Sequence, residues 1–182
     1  MKKAIIIGAS SGIGRELAKI LSQNQYIVGV MARRIQLLDE LRNEVEGTLF
    51  VQKIDVADVE SAMDTLEKFI KEMGGADLIV ISAGTGEINN NLSWHRECET
   101  IKTNVSGFAA LVNVAMRHFM EKGSGHLVGI SSIAALRGGS PGTGDGGFRR
   151  IRCAGAGRVG RAARSGAGAG GGHPLRPCGQ QP

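Results

Sequence analysis

Residues 4–14 read Ala4-Ile5-Ile6-Ile7-Gly8-Ala9-Ser10-Ser11-Gly12-Ile13-Gly14, an apolar run that passes directly into a glycine-punctuated turn. The run shows no alternation between a wet face and a dry one. It therefore predicts a strand covered on both sides, as in a parallel sheet. From Gly12 onward Ile13, Leu17, Ile20 and Leu21 recur at helical spacing, leaving Arg15, Glu16 and Lys19 for solvent. A buried strand, a tight turn and an amphipathic helix thus follow one another at the start of the chain.

Outward from this unit the same alternation repeats. Strands are predicted at Tyr26–Met31, Thr48–Gln52, Asp77–Ile81 and His126–Ile130. Between them fall helices at Arg34–Val45 and Val59–Met73 and a long helical stretch from about His95 to Lys122. Such alternation specifies an α/β fold of Rossmann type, a doubly wound parallel sheet, because right-handed crossovers place helices on both faces. The sheet is expected to be incomplete, with about five strands. Ligands of such sheets bind beyond the carboxyl ends of the strands.

The Gly8–Gly14 turn lies at such an end, where amides at a helix N-terminus can face a dinucleotide diphosphate and glycines let it approach. The second predicted strand ends in Met31-Ala32-Arg33-Arg34. A carboxylate there would bind the ribose 2′-hydroxyl of NAD, whereas positive charge suits the 2′-phosphate of NADP. NADP is favoured over NAD, with Arg33 rather than Arg34 as the charge-assisted partner.

Further residues carry a more specific likeness. The turn has the form Gly-x-x-x-Gly-x-Gly, Asp55-Val56 follows the third predicted strand, and Ser82-Ala83-Gly84 follows the fourth. Asn104 lies within Lys-Thr-Asn-Val-Ser-Gly and Ser132 within Gly-Ile-Ser-Ser-Ile-Ala. Together these resemble the classical short-chain dehydrogenases/reductases over residues 1 to about 141, with Ser82 standing where the family has Asn. The resemblance implies hydride transfer between NADP(H) and a small-molecule carbonyl or alcohol. It implies cofactor contacts from Gly8, Ser10, Ser11, Gly12, Ile13, Gly14, Arg33, Asp55, Val56, Ala83, Gly84 and Asn104, and catalytic roles for Asn104 and Ser132. It also implies homo-oligomers built through the helix containing Gly107–Met120 and a following helix not recognisable in this chain.

The family's proton donor is a Tyr followed four residues later by a Lys, and the resemblance places these at Asp145 and Arg149. The chain has one tyrosine, Tyr26, in the second strand. A carboxyl with a reference pKa of about 3.9 is ionised at neutral pH and has no proton to give. The chain as written is therefore expected not to turn over.

Composition changes where that motif should stand. Residues 1–137 carry 15 Lys and Arg against 16 Asp and Glu, whereas residues 138–182 carry seven Arg and one acid, so the net charge of +5 belongs to the tail. Gly, Ala, Arg and Pro supply 32 of those last 45 residues, too few apolar groups to offset ordering entropy. The reading is a nucleotide-binding domain over 1–137 and a disordered tail over 138–182. All four residue types have codons beginning with two G or C bases, which suggests a shifted reading frame or a chimeric or truncated gene. Two other readings are a non-catalytic NADP-binding protein and a nucleic-acid binder acting through the tail arginines. The second is disfavoured because Phe148 is the tail's one aromatic ring for base stacking.

Cys98, Cys153 and Cys178 show no pairing or metal-ligand rhythm, which implies reduced thiols and a cytoplasmic location. His95, His118 and His126 have no spacing that gathers them about a metal. No stretch reaches the roughly 18 to 20 apolar residues of a membrane span.

Overall fold

The computed structural model describes residues 1–86 and 89–132. The predicted tail at 138–182, with Asp145 and Arg149, lies outside the described residues, as do residues 133–137. Five strands, β1 (Lys3–Ile7), β2 (Ile27–Ala32), β3 (Leu49–Lys53), β4 (Leu78–Ile81) and β5 (His126–Gly129), form one parallel sheet in the order β3-β2-β1-β4-β5. The helices are α1 (Gly12–Gln23), α2 (Ile35–Glu44), α3 (Val59–Glu72), α4 (Trp94–Ile101) and α5 (Phe108–Lys122). The strand order runs outward in both directions from β1, so the exits of β1 and β4 flank the switch point where doubly wound sheets take their ligands.

The apolar run of β1 is continuous because both of its faces are dry. Ile5 and Ile7, with Met31, Ile79 and Ile81, pack against Leu66, Phe69 and Ile70 of α3 and Leu111, Val114 and Phe119 of α5. Ile6, with Val28, Val30 and Val80, faces the other way, onto Ala18 of α1 and Leu38 and Leu41 of α2. Each fully buried Ile, Leu or Phe contributes roughly 1.5–3 kcal/mol relative to exposure. Gly29 admits the Phe69 ring close to β2, since a Cβ there would lie 2.7 Å from its Cε1.

The helical stretch expected over 95–122 is present with one irregularity. Between α4 and α5 the backbone adopts a π-helical turn, Lys102–Gly107, with the wider hydrogen-bond ring that such turns carry. Gly107 ends it, where a side chain would collide with the Val56 carbonyl and would lie 2.9 Å from the Val56 carbonyl carbon. The turn thus lets a continuous helix sit backbone against backbone on the loop leaving β3. Among the described residues no helix is long and apolar enough to cross a membrane.

Candidate functional site

Three glycines shape the turn after β1, each for a different reason. Gly8 has φ of 95°, and a Cβ on it would overlap the Ala83 nitrogen and lie 2.7 Å from Ala83 Cα, so the exits of β1 and β4 touch through backbone alone. The Gly8 amide donates to the Met31 carbonyl of β2 at 2.7 Å, and the Ser82 amide donates to the Ile7 carbonyl at the same distance. The turn is thereby held from both sides. Gly14 lets α1 seat on it, because a Cβ would strike the Gly8 carbonyl and lie 3.2 Å from Ala9 Cα. Gly12 also has a left-handed φ, 59°, yet apart from its chain neighbours and its own helix backbone no atom of the described residues lies within 4 Å of where its Cβ would be. Ile13, next to it, is 64% exposed.

The start of α1 holds its donors in reserve. Ser11 is the N-cap residue in extended conformation, makes no side-chain cap bond, and no acid occupies the first turn. Among the described residues the first-turn N–H groups thus have no side-chain acceptor, and they stand at the positive end of the helix dipole. The Ser10 and Ser11 hydroxyls instead accept hydrogen bonds from Arg34 Nη2, at 3.1 and 3.0 Å. Arg34 is itself the N-cap residue of α2, another helix with no acid in its first turn. Arg33 is exposed and makes no hydrogen bond or ion pair with the described residues. The sequence favours Arg33 over Arg34 for a 2′-phosphate; which guanidinium reaches the glycine turn depends on the β1–β2 register, which the Arg-Arg pair by itself does not fix.

Asn104 sits within the π-helical turn and clamps the loop after β4. Its Oδ1 accepts from the Thr85 amide at 2.9 Å and its Nδ2 donates to the Thr85 carbonyl at 2.6 Å. Gly84 lies alongside, its would-be Cβ 3.6 Å from Asn104 Oδ1. The side chain satisfies a backbone pair, the structural role such an amide serves most often. Asp55 is exposed and folds its Oδ1 onto the Ala57 amide at 3.0 Å, while Val56 is buried against Gly107. Ser132 follows β5, whose exit is held to β4 by the Ile130 amide donating to the Ile81 carbonyl at 2.9 Å. The structure thus joins the turns after β1 and β4 with Asn104, and β3's exit with Gly107, at the carboxyl edge. Arg33 makes no hydrogen bond or ion pair with any of these among the described residues.

The short chain dehydrogenase family model matches residues 2–143. The chain belongs to this family. Among curated relatives, an uncharacterized oxidoreductase of Myxococcus xanthus is 37% identical over 142 residues, covering 75% of this chain and 56% of the relative. A short-chain type dehydrogenase/reductase from Mycobacterium marinum superimposes with a TM-score of 0.73 at 26% identity, over 78% of this chain and 60% of that one. An alcohol dehydrogenase from the archaeon Thermococcus sibiricus, solved with 5-hydroxy-NADP, gives 0.69 at 26% identity, over 80% of this chain and 64% of that one. This member of the short-chain dehydrogenases spans little more than half the length of the curated relatives it matches.

Proposed function

We propose that this chain is the cofactor-binding half of an NADP-dependent short-chain oxidoreductase acting on a small-molecule carbonyl or alcohol in the cytoplasm. The observation that carries the reading is the β1 turn. Its Gly12 faces open space, its helix begins without a side-chain cap, and two guanidiniums follow the adjacent strand. These features fit a dinucleotide: uncapped amides for the diphosphate, exposed Ile13 for the apolar edge, and Arg33 for the 2′-phosphate. The Thermococcus enzyme solved with an NADP derivative supports the same choice of cofactor.

When bound, the nicotinamide supplies or accepts the hydride. Gly8 and Gly14 hold the turn in shape, Ser10, Ser11, Gly12 and Ile13 line it, and Asp55, Val56, Ala83 and Gly84 border the adenosine and ribose side. Asn104 fixes the loop after β4, and Ser132 offers a hydroxyl to the substrate oxygen. The chain as written binds cofactor without turning over, because Asp145 stands where the resemblance requires a tyrosine and carries no proton at neutral pH.

Titration of the full chain with NADPH and NADH tests the reading. Saturable binding is expected for both, at least about tenfold tighter for NADPH, since one charge-assisted pair to a phosphate contributes about 1.5–3 kcal/mol. No oxidation of NADPH is expected with small aldehydes or ketones. Folded protein that binds neither nucleotide, or prefers NADH, overturns the proposal.

A further inference from the structure

Arg33 and Arg34 are adjacent in sequence and differ in what they touch. Successive residues leaving a strand face opposite ways. Arg33 ends in solvent, while Arg34 turns back over the glycine turn and gives one Nη2 to two serine hydroxyls. That nitrogen has two N–H groups, one for each serine, so three further donors of the guanidinium remain.

A serine oxygen has one proton and two lone pairs. Arg34 occupies a lone pair on each oxygen, which leaves each O–H to be directed elsewhere and polarises it as a donor. Ser11 makes no cap bond to the α1 amides, so neither serine supplies the acceptor that those amides lack. The result is a cluster dominated by donors: two polarised hydroxyls, each with one lone pair left, the first-turn amides of α1, and a cation. A cation at the N-cap of α2 opposes that helix dipole, so helix stability does not account for its placement. An anion held between the two helix starts converts this repulsion into attraction.

We propose that Arg34 is a positioning residue for the diphosphate of the cofactor, acting through Ser10 and Ser11, and that it serves NADPH and NADH alike while Arg33 serves the 2′-phosphate alone. The inference rests on the dinucleotide reading above and divides that site into two cationic parts with different readouts. A residue that acts on the diphosphate changes affinity for both nucleotides and leaves their ratio unchanged. One that acts on the 2′-phosphate changes the ratio.

The experiment measures NADPH and NADH dissociation constants calorimetrically on the full chain. Variants are Arg34→Ala, Arg34→Lys, Arg33→Ala and Ser10→Ala/Ser11→Ala, each checked by circular dichroism. Arg34→Ala is expected to weaken both nucleotides about tenfold with the ratio preserved, as for loss of a charge-assisted bond. Arg34→Lys keeps the charge but lacks the fork, and falls between the two. Arg33→Ala is expected to weaken NADPH alone. Arg34→Ala added to the double serine variant should cost less than in the native turn, because the serines transmit its effect. An Arg34→Ala loss confined to NADPH, no loss at all, or full additivity with the serines overturns the inference while native binding stands. A native chain that binds neither nucleotide overturns the dinucleotide reading itself, and this inference with it.

Discussion

The two ends of the sheet are built on opposite plans. At the amino end, charged groups are paired. Asp77 accepts from the Lys3 amide at 2.7 Å and pairs with Lys122. Lys122 also donates to the Ala76 carbonyl at 2.8 Å, Lys3 Nζ to the Gly74 carbonyl at 3.0 Å, and the Ala76 amide to His118 Nε2 at 3.1 Å. At the carboxyl end, contacts between turns are made by bare backbone at Gly8, Gly14 and Gly107, and Arg33 and Arg34 form no ion pair with the described residues. The closed end fixes strand register. The open end is held by backbone contacts and leaves the first-turn amides of α1 without a side-chain acceptor among the described residues.

The largest effect is expected where the open end owes its shape to an absent side chain. Gly8→Val introduces both a left-handed strain and a collision with Ala83, and should lose about 3–5 kcal/mol in denaturant unfolding. A variant that keeps the native midpoint breaks the contrast. Gly12→Ala sharpens it: with open space around it, the cost should be about 1 kcal/mol of backbone strain. Its NADPH affinity should nevertheless fall clearly, because the methyl group enters the crevice.

Asn104→Ala comes next. It strands the half-buried amide and carbonyl of Thr85, for a loss of about 2 kcal/mol in the same unfolding measurement. Asn104→Asp should be worse than its shape suggests, since a carboxylate would face the Thr85 carbonyl.

The closed end should respond to acid. Burial raises the Asp77 pKa, but the bonds from Lys122 and the Lys3 amide outweigh it and leave the carboxyl below its ordinary 3.8. A depressed carboxyl stabilises the fold above its unfolded pKa, and that contribution is lost as pH falls through the folded value. Thermal melts between pH 5 and 2.5 should therefore lose part of their acid slope in Asp77→Asn. An unchanged slope would show that the pairing is not coupled to folding.

The smallest effect belongs to the outer brace between α1 and α2, where Glu44 bonds Arg15 at 2.6 Å and Lys19 at 2.8 Å. The hydrogen bond from Lys19, then that from Arg15, lowers the Glu44 pKa. Because the network is exposed, Glu44→Gln should shift the melting temperature only slightly, and not at all in molar salt.

Much of this was legible locally. Ala4–Ile7, Tyr26–Met31 and Asp77–Ile81 read as buried strands because a strand covered on both faces must be apolar throughout, and the structure places each within a residue of its expected bounds. The glycine turn announced itself by its spacing together with its place between a buried strand and an amphipathic helix. The irregular turn at 102–107 did not, since its apolar spacing matches that of an ordinary helix and the Val56 backbone that Gly107 meets is distant in sequence.

The sequence alone determined the alternation of elements, the parallel sheet and the position of the glycine turn, because hydrophobic period and backbone freedom are properties of neighbouring residues. Tertiary structure decided that Arg34 rather than Arg33 meets Ser10 and Ser11, and that Asn104 holds Thr85. These pairings depend on loops brought together by strand register, and a side chain's reach is set by where those loops meet.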